Sequence, residues 1–280
     1  MLTQLSRVLS RPTLLLSSLL LSSAVVATTP IASLEQAISN NPLRSAANMT
    51  RDQYRNPLPT LQFFDVTPQA TVVEISPGGG WYTEILAPLL AEQGVYYAAH
   101  FPASAEGYGQ RSRQAFVEKL SANPAYSKVK LTEFAPRPGI EIAPAGSADV
   151  VLTFRNLHNW YMAGGEEAML TAFAHFYTAL KPGGVLGIVE HRLPETQLDT
   201  DWTRSGYMPE SLTIKLAEQA GFTLEARSEI NANPKDTADH PGGVWTLPPT
   251  LRLGEQDRDK YLAIGESDRM TLKFRKPATP

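Results

Sequence analysis

The feature that most constrains this sequence is an apolar segment that ends in three consecutive glycines and continues as an amphipathic helix. Residues 72–90 read VVEISPGGGWYTEILAPLL, with the glycines at Gly78, Gly79 and Gly80. A strand that turns through glycines into a helix is how α/β folds bring backbone N–H groups and the positive end of a helix against a cofactor. We therefore expect the ligand site at this turn.

The spacing of the glycines argues against two nucleotide-binding motifs. The dinucleotide fingerprint GxGxxG does not fit the segment GGGWYT, and the sequence has no phosphate-binding loop that ends in GK followed by Ser or Thr. An acidic residue at the strand end followed by xGxGxG does fit, with Glu74, Ser76, Gly78 and Gly80 in those places. This pattern resembles the first motif of class I S-adenosylmethionine-dependent methyltransferases, with Ser76 in place of the first glycine.

Strand and helix patterns alternate along the chain, which predicts a parallel sheet. Lys181-Pro182-Gly183-Gly184 ends one helical pattern before an apolar strand, which is also typical of the same superfamily. A further helix is predicted at 209–220, and the resemblance implies that strands at 223–230 and 269–275 form an antiparallel edge. The other predicted strands are 70–75, 95–99, 129–134, 149–154 and 184–190, and the other predicted helices are 81–92, 110–121 and 166–180.

The resemblance covers residues 60–276. The segments PGGGWYTE, FRNLHNW, VEHR and GESDRMTLKF are similar to those of a bacterial group of exported, predicted methyltransferases. The resemblance implies an α/β fold with a Rossmann-like sheet, mostly parallel with an antiparallel C-terminal edge, and helices on both faces. It implies S-adenosylmethionine as the cofactor and an unidentified small molecule as the methyl acceptor.

The amino terminus predicts export. Residues 1–27 contain Arg7 and Arg11, an apolar stretch of about 13 residues and the small-residue end Val25-Val26-Ala27, which together form a signal peptide. The stretch is short of the roughly 20 residues that a membrane anchor needs. We therefore expect cleavage after Ala27 and a periplasmic or secreted protein without an anchor. The sequence contains no cysteine, which excludes disulfides, thiolate zinc sites and a cysteine nucleophile.

The mature chain is expected to have two parts. Residues 28–60 form a helical extension, with helical patterns near 31–39 and 45–55, and residues 61–280 form the methyltransferase domain. An insert at about 231–259 lies between the last two strands, where it is either a surface excursion packed by Trp245 and Leu247 or a lid or dimer contact. The net charge of −3 and the absence of a basic run give no support for nucleic acid as a partner. Nothing in the sequence predicts the oligomeric state.

Three of the five histidines fall just after predicted strands, where α/β folds gather their chemistry. Histidine is the usual general base near neutral pH, which makes His158 the first candidate and His191 the second. Glu190 is a third candidate catalytic group. Because Glu190 and His191 are adjacent in a strand, their side chains are expected on opposite faces and not in one dyad. Hydrogen-bonded loop histidines without a catalytic role are the alternative.

The resemblance also implies roles for residues around the cofactor. Gly78, Gly79 and Gly80 would approach its methionine part, and Glu74 would order the loop from below. His100 stands where related enzymes usually have an acid that binds the ribose. The remaining implied contacts are Glu133 and Phe134 at the adenine, and Arg155 and Asn156 near the cofactor carboxylate or the substrate.

A second hypothesis keeps the fold and removes the cofactor. Export separates the protein from the cytoplasmic pool of S-adenosylmethionine, and His100 replaces the usual ribose acid. The cleft would then bind another small molecule, as an enzyme or as a non-catalytic binding module. Alternatively, His158, His191, His240 and a carboxylate would hold a metal such as zinc, although no tight motif such as HExxH is present.

Overall fold

In the computed structural model, which describes residues 31–278, the central feature is an eight-stranded sheet. Seven strands follow the order β3-β2-β1-β4-β5-β8-β7, and β6 pairs with β5. The strands are β1 (Thr71–Ile75), β2 (Val95–His100), β3 (Lys130–Glu133), β4 (Ala148–Phe154), β5 (Leu180–Leu193), β6 (Met208–Pro209), β7 (Thr223–Ser228) and β8 (Arg269–Arg275).

The direction of the strands confirms the predicted sheet. β1 pairs in parallel with β2 on one side and with β4 on the other, and β4 pairs in parallel with β5. β8 runs antiparallel between β5 and β7, with Ile188 opposite Leu272. The order reverses at β1 and β4, and α/β sheets bind ligands at such a reversal, outside the carboxyl ends of the strands.

Two apolar layers bury the faces of the central strands. Val73 and Val151 pack in the layer that contains α7, whereas Val72 and Val150 pack in the layer that contains α5. Alternate residues of a strand face opposite sides, so β1 and β4 read as continuous apolar runs. The helices are α1 (Leu34–Ser39), α2 (Ala46–Met49), α3 (Asp52–Arg55), α4 (Pro57–Phe63), α5 (Thr83–Leu90), α6 (Gly107–Ser121), α7 (Leu157–Ala179), α8 (Glu210–Gln219) and α9 (Arg258–Ile264).

Helix α7 begins nine residues before its predicted start at 166. Gly164 and Gly165 have non-helical backbone angles and divide it into two parts. The glycine pair interrupts the helical pattern in the sequence, whereas Leu157 and Trp160 are buried and hold the first part against the core. The consequence for the site is that only Arg155 and Asn156 separate β4 from a helix.

The N-terminal segment packs on the domain through short helices. Leu34, Ala37 and Ile38 of α1 are buried in the same layer as α5. Helix α4 was not predicted, and it crosses residue 60, where the sequence suggested a division of the chain. The predicted division into an extension and a domain stays a prediction.

The predicted signal peptide, residues 1–27, lies outside the described residues. Within residues 31–278, no helix has both the length and the apolar character required to span a membrane.

Candidate active site

The ends of β1, β4 and β5 border a cavity of about 790 Å³. A smaller cavity of about 320 Å³ adjoins it and shares wall residues that include Ser76, Gly78 and Arg155. The N-terminal segment, the glycine turn, the β4–α7 turn, the insert and the start of β8 all contribute residues to the larger cavity. Segments far apart in the sequence therefore meet at one place.

The glycine turn presents bare backbone to these cavities. Gly78 has a φ of 58°, and a Cβ built on Gly78 or Gly79 would meet no atom within 4 Å. Ser76 also has a positive φ, of 49°, an angle that favours glycine. Gly80 differs, because a Cβ on it would lie 3.1 Å from the Phe116 ring. Gly78 and Gly79 are therefore suited to a ligand, whereas Gly80 serves the turn and the packing of α6.

Glu74 ties the strand before the turn to the helix after it. Its buried carboxylate accepts hydrogen bonds from Tyr96 Oη at 2.5 Å and from Thr83 Oγ1, in the first turn of α5, at 3.3 Å. Burial raises the pKa of Glu74 to about 7. Glu74 thus links the end of β1 to the first turn of α5, and its role toward a cofactor stays a prediction.

His100 lies beneath the glycine turn rather than on the cavity wall. Its Nδ1 atom accepts a hydrogen bond from Phe101 N at 2.8 Å, so Nε2 carries the proton and donates to the Gly78 carbonyl at 3.3 Å. The ring is fully buried, and burial lowers its pKa to about 4. Both ring nitrogens make hydrogen bonds within the protein. The expected contact between His100 and a ribose is therefore wrong.

Glu133 and Phe134 do not line either cavity. Glu133 pairs with His100 across β2 and β3, and its carboxylate accepts a hydrogen bond from Ala103 N at 2.9 Å. The Phe134 ring is buried 5.0 Å from the Trp160 ring. The expected adenine contacts are therefore corrected, because Phe134 faces the core layer of α7.

The β4–α7 turn brings Arg155 and Asn156 to both cavities. Arg155 has a φ of 61°, an unfavourable angle for a residue with a side chain, and such strain is common at functional sites. Asn156 Nδ2 donates to the Ile75 carbonyl at 3.0 Å and to Thr153 Oγ1 at 3.2 Å. The amide thus fixes the turn against the end of β1.

His158 and Glu190 form a buried dyad at the cavity. Glu190 Oε1 lies 2.9 Å from His158 Nδ1, and Glu190 Oε2 accepts from Leu157 N at 2.6 Å and from His158 N at 3.4 Å. His191 N also donates to Glu190 Oε1, at 2.8 Å. Backbone groups therefore orient the carboxylate, which in turn orients the imidazole. His158 lines the cavity, and its Nε2 is the ring nitrogen that remains free.

Glu190 and His191 form no dyad with each other, as expected, but their side chains do not diverge. The Glu190 carboxylate turns back to the backbone of its own strand end, so that His158, Glu190 and His191 each offer an atom within 4.8 Å of the others. His191 Nδ1 is 2.5 Å from Ser267 Oγ. Burial, followed by the charge of His158, lowers the pKa of His191 well below its usual range. His191 is thus a neutral neighbour of the dyad and a weaker base than its exposed counterpart would be.

These three groups are close enough to hold a metal, but their hydrogen bonds favour a dyad. Glu190 already accepts four N–H groups, and Nδ1 of each histidine is engaged. His240 does not join the group, because its Nε2 lies 2.8 Å from Asp236 Oδ1. The metal site considered from the sequence, with His158, His191, His240 and a carboxylate as its four ligands, is therefore wrong.

The insert forms one wall of the larger cavity. Trp245 lines it, with its ring 5.9 Å from the His158 ring, while Leu247 is fully buried. The sequence did not predict a role for Arg51 and Arg55 from the N-terminal segment or for Glu266 and Arg269 near β8, all of which line the cavity. The one sequence pattern among these four residues is the spacing of Arg51 and Arg55, which lie four residues apart in a helical pattern. This spacing does not indicate what the two side chains would bind.

Comparison with known proteins gives a fold. No protein-family model and no curated protein matches the sequence. Among solved structures, a SAM-dependent methyltransferase from Aquifex aeolicus has a TM-score of 0.54 at 15% identity, over 84% of this chain and 95% of that one. A candidate sarcosine dimethylglycine methyltransferase from Galdieria sulphuraria has a TM-score of 0.53 at 12% identity, over 90% of this chain and 94% of that one.

The same fold occurs in a protein with a different activity. The [4+2]-cyclase SpnF has a TM-score of 0.52 at 16% identity, over 83% of this chain and 81% of that one. A likeness at this identity carries the fold and not the reaction. The chain has the fold of S-adenosylmethionine-dependent methyltransferases.

Proposed function

We propose that the protein transfers a methyl group from S-adenosylmethionine to a small-molecule acceptor in the larger cavity. The observation that carries the proposal is that His158, held by the buried Glu190 carboxylate, and the bare Gly78 backbone line the same cavity. One supplies a base, and the other leaves room for a cofactor beside it. The fold is consistent with this chemistry.

The residues at the glycine turn fit the cofactor. Open space above Gly78 and Gly79 would take the methionine part, with Glu74 holding the turn from below. Arg155 and Asn156 line both cavities and would contact the same part of the cofactor or the acceptor. When bound there, S-adenosylmethionine supplies an activated methyl group.

The dyad would remove the proton of the acceptor. His158 Nε2 accepts the proton, and the Glu190 carboxylate stabilises the positive charge that forms on the ring. The four N–H groups on Glu190 keep the carboxylate in place during this step. The Trp245 ring lies edge-on 5.9 Å from the His158 ring and would place an apolar surface beside the base. Methyl transfer otherwise needs mainly in-line positioning, which the cavity walls provide.

The test is methyl transfer from S-adenosylmethionine labelled in its methyl group. The mature protein would be incubated with pools of small molecules that carry O–H, N–H or S–H groups, and labelled products would be separated by chromatography. We expect a labelled product with the native protein and with His175→Ala, which changes a half-buried histidine outside the cavity, and much less with His158→Ala. Failure of every pool with protein that binds the cofactor would contradict proton removal from an acceptor of these classes.

A second candidate function keeps the cavity and replaces the cofactor. The observation that favours it is that His100, which stands in the place of the ribose acid, is buried with both nitrogens engaged. The cavity would then bind a different small molecule. Binding of S-adenosylhomocysteine separates the two candidates, because it requires a cofactor site.

A further inference from the structure

Four arginine side chains meet at one wall of the larger cavity. In the described part of the chain, Glu266 is the one acidic residue that lines this cavity with them. We call the four side chains the arginine cluster: Arg51, Arg55, Arg155 and Arg269. Guanidinium groups stay charged in proteins, so the wall carries a surplus of positive charge.

Glu266 is already shared by three members of the arginine cluster. Its Oε1 lies 2.5 Å from Arg51 Nε, and its Oε2 accepts from Arg269 Nη2 and lies 4.0 Å from Arg155 Nη1. Burial alone would raise the pKa of Glu266, but the hydrogen bond from Arg51 and the charge of Arg269 bring it to about 2. This carboxylate is ionised, and its single negative charge is shared among three guanidinium groups.

Arg55 is the member without a partner. Its side chain is 5% exposed and lies over the Trp81 ring at 4.6 Å, while Nε and Nη1 are buried without a hydrogen bond to any described residue. Burial, and then the charges of Arg155 and Arg51, lower its pKa. An unpaired buried cation is costly, and a buried donor without a partner indicates a missing ligand or ion.

Neither Glu74 nor the proposed cofactor balances this charge. The Glu74 carboxylate is buried and already accepts hydrogen bonds from Tyr96 and Thr83, and among the described residues no guanidinium of the cluster donates to it. The carboxylate of S-adenosylmethionine comes with an ammonium and a sulfonium group, so the cofactor adds no net negative charge. Even with the cofactor carboxylate paired to one guanidinium, the arginine cluster keeps a positive surplus that a further anion would neutralise.

We propose that the arginine cluster binds an oxyanion, a carboxylate or a phosphate, that belongs to the methyl acceptor. Arginine suits both groups because its planar donors match two oxygens at once. The cluster lines the same cavity as His158, so an anionic group held there anchors the acceptor beside the dyad. Assignment of the anion to the acceptor rests on the proposed function, whereas binding of an anion does not.

The test is calorimetric titration of the mature protein with inorganic phosphate and with succinate, at constant ionic strength set by sodium chloride. The variants are Arg55→Gln and Arg155→Gln, with Arg204→Gln as an exposed control outside the cavity. We expect one or both anions to bind, and affinity to fall at least about tenfold in the two cluster variants but not in the control. The anion that binds more tightly, phosphate or succinate, identifies the acceptor group as phosphate or carboxylate.

Equal binding to the native protein and to both cluster variants would overturn the proposal, as would no binding of either anion. A second titration, with saturating S-adenosylhomocysteine, separates the acceptor from the cofactor. Anion affinity within about threefold of the free protein supports the acceptor assignment. A loss of about tenfold or more would assign the cluster to the cofactor and overturn it. If an anion binds but S-adenosylhomocysteine does not, the result would contradict the proposed function and still support an anion site at the arginine cluster.

Discussion

The Nδ1 atom of His158 lies 2.9 Å from Oε1 of Glu190, on the first turn of α7 and near the end of β5. This contact exists because α7 starts two residues after β4, so that its first N–H groups reach the carboxylate of the neighbouring strand. One carboxylate thereby holds the start of the helix and the ring that the helix carries. The same contact leaves Nε2 of His158 free at the cavity.

Replacement of Glu190 tests the dyad. Glu190→Gln places an amide NH₂ among four N–H donors and removes the negative charge beside the imidazole. We expect turnover to fall by about 10²-fold or more, since positioned proton transfer contributes about 10²- to 10⁴-fold. Glu167→Gln, an exposed change on the same helix as His158, should leave turnover unchanged. Equal activity of the two variants would remove Glu190 from the mechanism.

His158 and His191 are distinguished by their own variants. His158→Ala should lower turnover by about 10²- to 10⁴-fold with little effect on binding of S-adenosylhomocysteine. His191→Ala should have the smaller effect, because burial lowers the pKa of His191 and its Nδ1 is held by Ser267. Steady-state kinetics and calorimetry on each variant give the comparison. A larger loss of turnover in His191→Ala than in His158→Ala would assign the role of base to His191.

His100 should make the stability of the protein depend on pH. Burial depresses its pKa from 6.5 to about 4 in the folded chain, so the unfolded chain binds the extra proton between these values. The contribution of His100 is therefore present above pH 6.5 and is lost as the pH falls toward 4. Between pH 7 and pH 5, denaturant unfolding of His100→Asn should lose about 1–2 kcal/mol less stability than the native protein. Identical losses would show that His100 is not the neutral, buried group described.

Export is tested by the terminus of the mature chain. The signal in residues 1–27 predicts that the protein isolated from its native host begins at Thr28 and is recovered from the periplasm or the medium. Intact-mass spectrometry of the isolated protein gives the first residue. A soluble cytoplasmic protein that retains Met1 would contradict export, and the question of how the cofactor reaches the protein would disappear.

The sequence predicted the sheet because buried parallel strands are continuous apolar runs, and the glycine turn because its three glycines are adjacent. It did not predict the dyad. The predicted helix began at 166, so nothing placed the N–H groups of Leu157 and His158 at the start of a helix that faces the Glu190 carboxylate. Nor did it predict the arginine cluster, because Arg51 and Arg269 meet across more than 200 residues of sequence only through Glu266.

The role of His100 shows a different limit. The prediction that His100 lies at the end of β2 was correct, but the neighbouring residues determine which groups its ring nitrogens hydrogen-bond. The Phe101 N–H and the Gly78 carbonyl occupy both nitrogens, and neither contact leaves a pattern in the sequence. A strand position therefore predicted proximity to the glycine turn and not the role of the side chain.

Calorimetric titration of S-adenosylhomocysteine into the native protein and into Gly79→Val tests whether the glycine turn forms a cofactor site. The φ of Gly79 is not positive and a Cβ there meets open space, so Gly79→Val should fold, with a melting temperature near that of the native protein. Its side chain fills the cofactor space, and we expect native binding to be lost by about 100-fold or more. If S-adenosylhomocysteine does not bind the native protein, or binds a folded Gly79→Val equally well, the glycine turn is not the cofactor site.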